Sequence, residues 1–338
     1  MVPLYKVTEN KLECQLCPHF CRLTAGKTGI CRVRKNTGAK IELLTYGVIS
    51  GYSLDHVEKK PLYHFFPGHN ILSVGSYGCN MRCDFCQNYN ISQNVPDLLN
   101  QEITPEKIVS DALNSEKNIG IAFTYNEPVI WFEFMRDVAV SAKKAGLFTV
   151  MVSNGYVNHD PLNEIIQFID AYNIDLKAFN NDFYRKLTGA DLEPVMNALK
   201  QIAKSGRHLE ITTLVIPGQN DSEKEMALQA NWIAEELGKD IPLHLSRYFP
   251  RYKRDDPATS EETLIKLFET ASEKLDNVYL GNTYSNAGQN TSCPTCGKTV
   301  TTRSGYNIRL LNLDNEGKCT GCGTMVYRHY TTSSSKER

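Results

Sequence analysis

The residues best suited to chemistry are three cysteines, Cys79, Cys83 and Cys86, in the spacing C-x3-C-x2-C. Thiolates at this spacing on one tight loop can hold three corners of a [4Fe–4S] cluster. No fourth cysteine lies near enough in sequence to complete the set from the same loop. One iron would then keep an open coordination position, as the metal does in catalytic zinc sites. The alternatives are a zinc loop, which usually takes C-x2-C pairs and four ligands, or buried free cysteines.

The remaining cysteines form an N-terminal four and a C-terminal four. The N-terminal four are Cys14, Cys17, Cys21 and Cys31, and the C-terminal four are Cys293, Cys296, Cys319 and Cys322. A disulfide framework is one interpretation, but the total of 11 is odd and the start MVPLYKVTEN lacks the nonpolar core of an export signal. Cysteines grouped at ligand spacing in a reducing compartment indicate metal sites. We therefore expect a cytoplasmic protein with three metal centres and no structural disulfides.

Each group of four allows more than one metal. The N-terminal four would suit a structural zinc or a second [4Fe–4S] cluster, and His19 could replace one thiolate. The C-terminal four lie in C-P-x-C-G and C-x-x-C-G pairs, which are typical of a zinc ribbon or a rubredoxin-like module. Zinc is the metal expected there, with a single iron as the alternative.

The overall composition argues against two classes of partner. The 338 residues carry a formal net charge of −1, so no overall field attracts nucleic acid or an acidic membrane. No nonpolar run reaches the length that a membrane crossing needs. We therefore expect neither a membrane nor a nucleic-acid partner.

The middle of the chain alternates nonpolar, β-rich stretches with helical patterns. Strands are predicted at 71–75, 119–123, 148–152, 171–176, 209–216 and 241–246, and helices at 104–115, 128–145 and 194–205. Thr104 followed by proline is a typical helix start. Regular alternation implies a parallel sheet with helices packed on it. The predicted fold is α/β, an open (β/α)6 partial TIM barrel.

These patterns divide the chain into four parts. Residues 1–45 form an N-terminal four-cysteine metal-binding segment, and residues 46–285 form the partial barrel. Residues 286–330 form a C-terminal four-cysteine ribbon, and residues 331–338 are predicted to be a disordered polar tail. Within the barrel part, the connector 46–70 is rich in glycine, proline, histidine and aromatic residues. It either covers the barrel mouth and contacts substrate, or packs its aromatic side chains into the core.

Polar residues stand at the carboxyl ends of the predicted strands, where barrels of this kind place their reaction centres. The cysteine loop follows the first strand. The others are Asn126 and Glu127 after the second strand, Ser153 and Asn154 after the third, Asp175 and Lys177 at the fourth, Thr212 on the fifth and His244 on the sixth. Six groups at equivalent positions predict one common site.

The cysteine loop resembles the signature of the radical SAM superfamily, including the aromatic Phe85 before the last cysteine. The barrel is similar to the activating enzymes of glycyl-radical proteins, such as the pyruvate formate-lyase activase. Over nearly its whole length the chain resembles the radical SAM member of the three-gene AmmeMemoRadiSam system. That likeness rests on the runs CQLCPHFC from 14, EKKPLYHFFPG from 58, CQNYNIS from 86 and YLGN from 279, and on the C-terminal cysteines.

The resemblance implies that Cys79, Cys83 and Cys86 hold the [4Fe–4S] cluster and that S-adenosylmethionine (SAM) binds its open iron. Phe85 would lie beside the adenine. Asn126-Glu127-Pro128 stands where the activating enzymes carry Gly-Glu-Pro, whose carboxylate and backbone hold the methionine amine.

The same resemblance assigns the later strand ends to SAM. Ser153 and Asn154 match a Thr-Asn-Gly turn. Asp175 and Lys177 match an Asp-x-Lys pair that faces SAM, and Lys177 would suit its carboxylate. His244 matches a histidine on the last strand, and Thr212 completes the predicted cofactor-binding set.

Two positions depart from the pattern of the activating enzymes. They place an aspartate just before Thr-Asn-Gly, where it helps to bind a monovalent cation, and this chain has Val152 there. Asn126 replaces the glycine of Gly-Glu-Pro. The first difference puts a cation site in doubt, and the second indicates a different backbone path near the amine.

The implied activity is reductive cleavage of SAM, followed by removal of hydrogen from a substrate carbon. One alternative is an activase that installs a glycyl radical on a protein partner. Another, of a different class, is a non-catalytic zinc-binding adaptor. The implied partners are a reducing protein of the flavodoxin or ferredoxin type and the Memo-like and AMMECR-like proteins of the three-gene system.

Overall fold

The computed structural model describes residues 3–96, 102–283 and 285–330. The predicted tail at 331–338 lies outside these residues. A small N-terminal module holds five short strands in two antiparallel sheets. They are β1 (Tyr5–Thr8), β2 (Lys11–Cys14), β3 (Arg22–Leu23), β4 (Arg34–Asn36) and β5 (Ile41–Leu43).

The centre of the molecule is one eight-stranded sheet whose strands lie side by side in chain order. They are β6 (Gly51–His56), β7 (Asn70–Gly75), β8 (Asn118–Phe123), β9 (Phe148–Ser153), β10 (Ala171–Asp175), β11 (His208–Val215), β12 (Leu243–Arg247) and β13 (Val278–Gly281). β7 to β13 are parallel, and β6 pairs antiparallel with β7. The segments that follow the parallel strands therefore meet at one edge of the sheet.

Helices connect the parallel strands and cover the outer face of the sheet. They are α1 (Tyr89–Ser92), α2 (Pro105–Asn114), α3 (Phe132–Lys144), α4 (His159–Ile166), α5 (Asn181–Phe183), α6 (Leu192–Lys204), α7 (Glu223–Glu236) and α8 (Glu261–Ser272). In α6 the buried side chains recur every three or four residues, which is the pattern of a helix with one nonpolar face. Within the described part of the chain, no helix is long and nonpolar enough to cross a membrane.

The six predicted strands are confirmed, but the sheet contains two more. β6 lies inside the predicted connector and has exposed residues at 52–54, as is common for an edge strand, so nonpolar content did not reveal it. β13 has 4 residues, which is too short for a periodic signal. The cap of α2 is also confirmed, because the Thr104 side chain accepts a hydrogen bond from the Lys107 amide. The helix predicted from residue 128 begins as a 3-10 turn, Pro128–Trp131, and α3 follows.

The first residues of the connector run beside the carboxyl end of β7, where Gly51 pairs with Gly75, and the part from His56 onward packs at the amino-terminal edge, opposite the cysteine loop. His56 pairs with Asn70 at the start of β7, and the Val57 amide donates to the His69 carbonyl. Phe65 and Phe66 are buried. For the aromatic part of the connector, the interpretation as a cover over the barrel mouth is therefore wrong, and the alternative of a packed aromatic segment is confirmed.

Glu210 on β11 holds the connector to the sheet. Its carboxylate accepts hydrogen bonds from the amides of Tyr63 and His64, at 2.9 and 2.7 Å. It also bonds His208 Nε2 at 2.9 Å and His244 Nε2 at 2.6 Å. Burial raises the pKa of Glu210, but the two histidines lower it by more than burial raises it, so the net pKa lies well below the usual range. The carboxylate stays ionised because four donors replace its water.

The C-terminal module docks on the same amino-terminal edge. Its strands are β14 (Thr291–Ser292), β15 (Thr299–Ser304) and β16 (Asn307–Leu310). The buried Arg303 donates to the Tyr63 carbonyl at 3.0 Å, and its guanidinium lies 4.2 Å from the centre of the Tyr63 ring. A bridge between Phe65 and His329 adds a backbone contact. The connector thus lies between the sheet and the C-terminal module.

Replacing Glu210 by glutamine tests this arrangement. A neutral amide cannot accept from two backbone amides and two imidazoles, so Glu210→Gln should lower the free energy of unfolding by on the order of 3 kcal/mol. Denaturant unfolding measures the loss, with the exposed Glu235→Gln as the matched control. Equal stability of the two variants would contradict the role of Glu210.

Candidate active site at the carboxyl ends of the strands

The cysteine loop follows β7 and is held by backbone hydrogen bonds to neighbouring segments. The Arg82 amide donates to the Thr188 carbonyl at 2.8 Å, and the Asp84 amide donates to the Leu187 carbonyl at 3.1 Å. Gly78 opens the loop with φ +86°, and an added Cβ would lie 2.6 Å from the Cys31 carbonyl oxygen. Only glycine fits this position, because both the backbone angle and the space exclude a side chain.

The spacing of the loop sulfurs fits a cluster better than a single ion. Among the described residues, only the C-terminal four place three or more ligand atoms within 4.8 Å of one another. The sulfurs of Cys79, Cys83 and Cys86 therefore spread more widely than a single ion needs. The Met81 amide donates to Cys79 Sγ at 3.3 Å, a contact that stabilises a ligating thiolate. These residues fit a [4Fe–4S] cluster held at three corners.

Glu127 is buried beside this loop and is bound by the turn after β9. Ser153 Oγ and the Asn154 amide donate to its carboxylate, at 2.7 and 2.8 Å. Burial is the main reason that the pKa of Glu127 is raised to about 7, and the charge of Asp175 adds to the effect. A cation placed here would relieve that cost. The site therefore fits an ammonium group.

The turn after β9 also reaches the cysteine loop directly. Asn154 Nδ2 donates to Cys79 Sγ at 3.6 Å and to Asn80 Oδ1 at 2.9 Å. One three-residue turn therefore positions both Glu127 and Cys79. The structure brings these predicted site residues together as the strand ends required.

Asn126 ties two backbone segments together. Its Oδ1 accepts from the Ser76 amide at 2.8 Å, and its Nδ2 donates to the Gly78 carbonyl at 3.1 Å. The asparagine that replaces the glycine of the activating enzymes thus anchors the start of the cysteine loop. Its predicted contact with SAM stays a prediction.

Lys177 and Asp175 form an ion pair at the end of β10, with Nζ 2.8 Å from Oδ2. Burial lowers the pKa of Lys177, but the charges of Asp175 and Cys83 raise it more, so the net pKa is raised and the ammonium persists. A fixed cation thus lies near Cys83, where an anionic ligand group could bind.

Phe85, the aromatic residue before the last cysteine of the loop, is buried, with its ring centre 5.8 Å from that of Phe183. Its place beside the adenine of SAM stays a prediction.

Thr212 on β11 and His244 on β12 are buried side chains of neighbouring strands. Thr212 Oγ1 donates to Asn173 Oδ1 at 2.9 Å, and His244 bonds Glu210. Both side chains therefore belong to the polar network that continues to the connector. Their assignment to SAM rests on the resemblance alone and stays a prediction.

Tyr125, next to Asn126, contacts the connector, and the sequence reasoning gave it no role. Its backbone has φ +73°, which is unusual for a residue with a side chain. The ring lies so close to Gly51 that an added Cβ there would be 2.7 Å away. Its hydroxyl donates to Asp55 Oδ2 at 2.8 Å, and Lys60 Nζ donates to the same oxygen at 2.8 Å.

The four-cysteine groups lie outside this site, and all 11 cysteines are free thiols. The N-terminal four line one cavity. In the C-terminal module, Sγ of Cys293 is 3.5 Å from Sγ of Cys322, and Sγ of Cys296 is 3.6 Å from Sγ of Cys319. A tetrahedral zinc with Zn–S bonds near 2.3 Å sets its sulfurs about 3.8 Å apart. The C-terminal four therefore match a single ion.

The comparisons with known proteins decide the family. The model of the radical SAM superfamily matches residues 73–230. An uncharacterized protein of Methanocaldococcus jannaschii is 40% identical over 325 residues, which cover 95% of this chain and 96% of that protein. This chain belongs to the radical SAM superfamily. The members of that superfamily are enzymes, so the adaptor interpretation is not retained.

More distant relatives include the activating enzymes. The pyruvate formate-lyase 1-activating enzyme of Escherichia coli K12 is 24% identical over 189 residues, or 55% of this chain and 76% of that protein. A radical SAM methyltransferase from Sphaerobacter thermophilus has a TM-score of 0.51 at 16% identity, covering 70% of this chain and 71% of that one. The structure of Streptococcus suis SuiB bound to S-adenosylmethionine has a TM-score of 0.51 at 13% identity, and the match covers 68% of this chain and 54% of that one. These two structures show a shared fold.

The raised pKa of Glu127 predicts how stability varies with pH. The folded state holds the proton more tightly than the unfolded state, whose value is near 4.5. The resulting stability is fully present below about pH 4.5 and is lost as the pH rises through about 7. Between about pH 5 and 8, the cluster-free protein should lose up to about 3 kcal/mol relative to Glu127→Gln. Denaturant unfolding across this range measures the difference, and parallel stability curves would contradict the prediction.

Proposed function

We propose that this chain cleaves SAM reductively at a [4Fe–4S] cluster and uses the product to remove hydrogen from a substrate carbon. One observation carries the proposal. Three cysteines that spread too widely for a single ion lie next to a buried carboxylate, Glu127, and a partly buried ammonium, Lys177. The amino group of an amino acid could pair with the Glu127 carboxylate, and its carboxylate could pair with the Lys177 ammonium.

In this proposal Cys79, Cys83 and Cys86 hold the cluster. With SAM bound, the cluster supplies one-electron cleavage of the sulfonium to methionine and a 5′-deoxyadenosyl radical. The protein supplies the positions of the groups. Glu127 would bind the amine of SAM through a charge-assisted hydrogen bond, and Lys177 would bind its carboxylate.

The neighbouring residues hold those two charges in place. Ser153 and Asn154 fix the Glu127 carboxylate, and Asp175 fixes Lys177. Phe85, Asn126, Thr212 and His244 are proposed to complete the cofactor site, on the resemblance stated above. Val152 stands beside this turn, so no aspartate is available there to hold a monovalent cation.

A second candidate is an activase that installs a glycyl radical on a protein. The similarity to the activating enzymes of Escherichia coli and Clostridium pasteurianum favours it. Their identities of 24% and 26% leave the substrate open, and a small molecule or another macromolecule is equally compatible with the site.

The partners and the C-terminal metal follow as parts of the same proposal. A flavodoxin- or ferredoxin-type protein would supply the electron, and the Memo-like and AMMECR-like proteins would act with this enzyme. The C-terminal four would hold one structural zinc, because their sulfurs already lie at the distance that a single ion sets.

Cleavage of SAM is tested by replacing one cluster ligand. Cys83→Ser should lower 5′-deoxyadenosine release by at least about a thousandfold, because the three-thiolate cluster is lost. The assay is anaerobic, with dithionite and SAM, and chromatography quantifies the product. Cys296→Ser, which alters the C-terminal four, is the matched control and should keep most of the activity. Equal release from wild type and Cys83→Ser would contradict the proposal.

The activase alternative is tested by isotope transfer. A candidate glycyl-radical protein, expressed with α-deuterated glycine, is mixed with the reduced enzyme and SAM. Deuterium in 5′-deoxyadenosine, together with a glycyl radical signal in the EPR spectrum, would support an activase. Release of unlabelled 5′-deoxyadenosine without a protein radical would rule out that candidate as the substrate.

A further inference from the structure

The N-terminal four surround one enclosed space. A single cavity is lined by all four cysteines and by His19, and nonpolar side chains close it. Those side chains are Leu16, Leu23, Ile30 and Ile130. Because Ile130 belongs to the barrel, the cavity lies between the N-terminal module and the barrel. Four thiols that line one small space are a candidate ligand set for a metal centre.

The separation of the sulfurs distinguishes the two metal types that the sequence left open. In the described chain, the C-terminal four satisfy the 4.8 Å separation for three or more ligand atoms, and no three of the N-terminal four do. The loop that holds Cys79, Cys83 and Cys86 also fails it. A [4Fe–4S] cluster keeps its cysteine sulfurs apart because the irons and sulfides lie between them. The N-terminal four therefore resemble the radical SAM loop in spacing, and differ from the zinc-like C-terminal four.

Arg34 gives an independent indication of what the cavity holds. Its side chain is 2% exposed and lines the cavity. Its two terminal nitrogens each donate to Glu133 at 2.7 Å. Its Nε is buried and has no hydrogen-bond acceptor among the described residues. A buried N–H without a partner is costly, and a sulfide of a cluster would accept from it.

The cavity adjoins the radical SAM loop. His19, between Cys17 and Cys21, donates through Nε2 to the Asn80 carbonyl at 2.7 Å, and Asn80 follows Cys79. The Cys31 carbonyl touches Gly78 on the other side of Cys79. The two cysteine groups are therefore in direct contact through these four residues, each of which is a ligand or lies close to one in sequence.

We propose that Cys14, Cys17, Cys21 and Cys31 bind a second [4Fe–4S] cluster, with Arg34 Nε donating to one of its sulfur atoms. Of the two metal centres that the sequence leaves open at this position, the sulfur spacing favours the cluster. The second cluster has four cysteine ligands and hence no open iron. It is not itself a site for SAM, and the proposal does not depend on the activity proposed above.

Metal analysis of a variant that lacks the radical SAM ligands tests the proposal. The triple variant Cys79→Ala, Cys83→Ala, Cys86→Ala is purified and reconstituted anaerobically with iron and sulfide. It should retain about four irons and four sulfides per chain and about one zinc, and dithionite should produce the EPR signal of a reduced [4Fe–4S] cluster. Loss of all iron together with about two zincs per chain would overturn the proposal.

Two further variants guard against misfolding and adventitious iron. Adding Cys14→Ala and Cys21→Ala to the triple variant should abolish the remaining iron, and iron that persists would overturn the assignment. In the otherwise wild-type chain, Cys14→Ala with Cys21→Ala should reduce iron from about eight to about four per chain. A wild-type chain that binds only about four irons would contradict the proposal while leaving the radical SAM cluster intact.

Discussion

The structure depends on the burial of Glu127 against the cysteine loop. A carboxylate removed from water favours its neutral form unless cations or donors compensate. Here the donors come from the turn after β9, and that same turn contacts Cys79. The loop after β7, the segment after β8 and the turn after β9 therefore meet at Glu127 and Asn154. A ligand with an ammonium group would complete the arrangement.

At the opposite edge of the sheet, a second glutamate is buried, but its pKa is shifted in the opposite direction. Glu210 is as buried as Glu127, but two histidines accompany it, and its pKa falls instead of rising. That carboxylate satisfies its charge within the protein and holds the connector and the C-terminal module in place. Among the described residues, the donors to Glu127 are uncharged, which leaves its charge available for a ligand. The two buried glutamates therefore differ in how their charge is satisfied: Glu210 is paired within the protein, and Glu127 fits the ammonium group of a ligand.

Much of this site was predictable from the sequence, because parallel strands bring their carboxyl ends to one edge. The positions of Cys79, Glu127, Asn154 and Lys177 followed from strand periodicity alone. β6 was not predicted, because an edge strand with exposed residues has no nonpolar pattern. The connector was ambiguous because its aromatic residues suit either a binding surface or a core, and only its pairing with Asn70 decides between them. The sulfur separations, and the lack of an acceptor for Arg34 Nε within the described part of the chain, are three-dimensional properties that no spacing in the sequence can supply.

The central claim is that one iron of the cluster held by Cys79, Cys83 and Cys86 binds SAM directly. Electron–nuclear double resonance of the dithionite-reduced protein, mixed with SAM carrying ¹⁵N in its amino group, measures this contact most directly. The account predicts a ¹⁵N hyperfine coupling that is strong enough for a nitrogen bonded to iron and that disappears with unlabelled SAM. A reduced cluster whose spectrum shows no such coupling and does not change when SAM is added would contradict it.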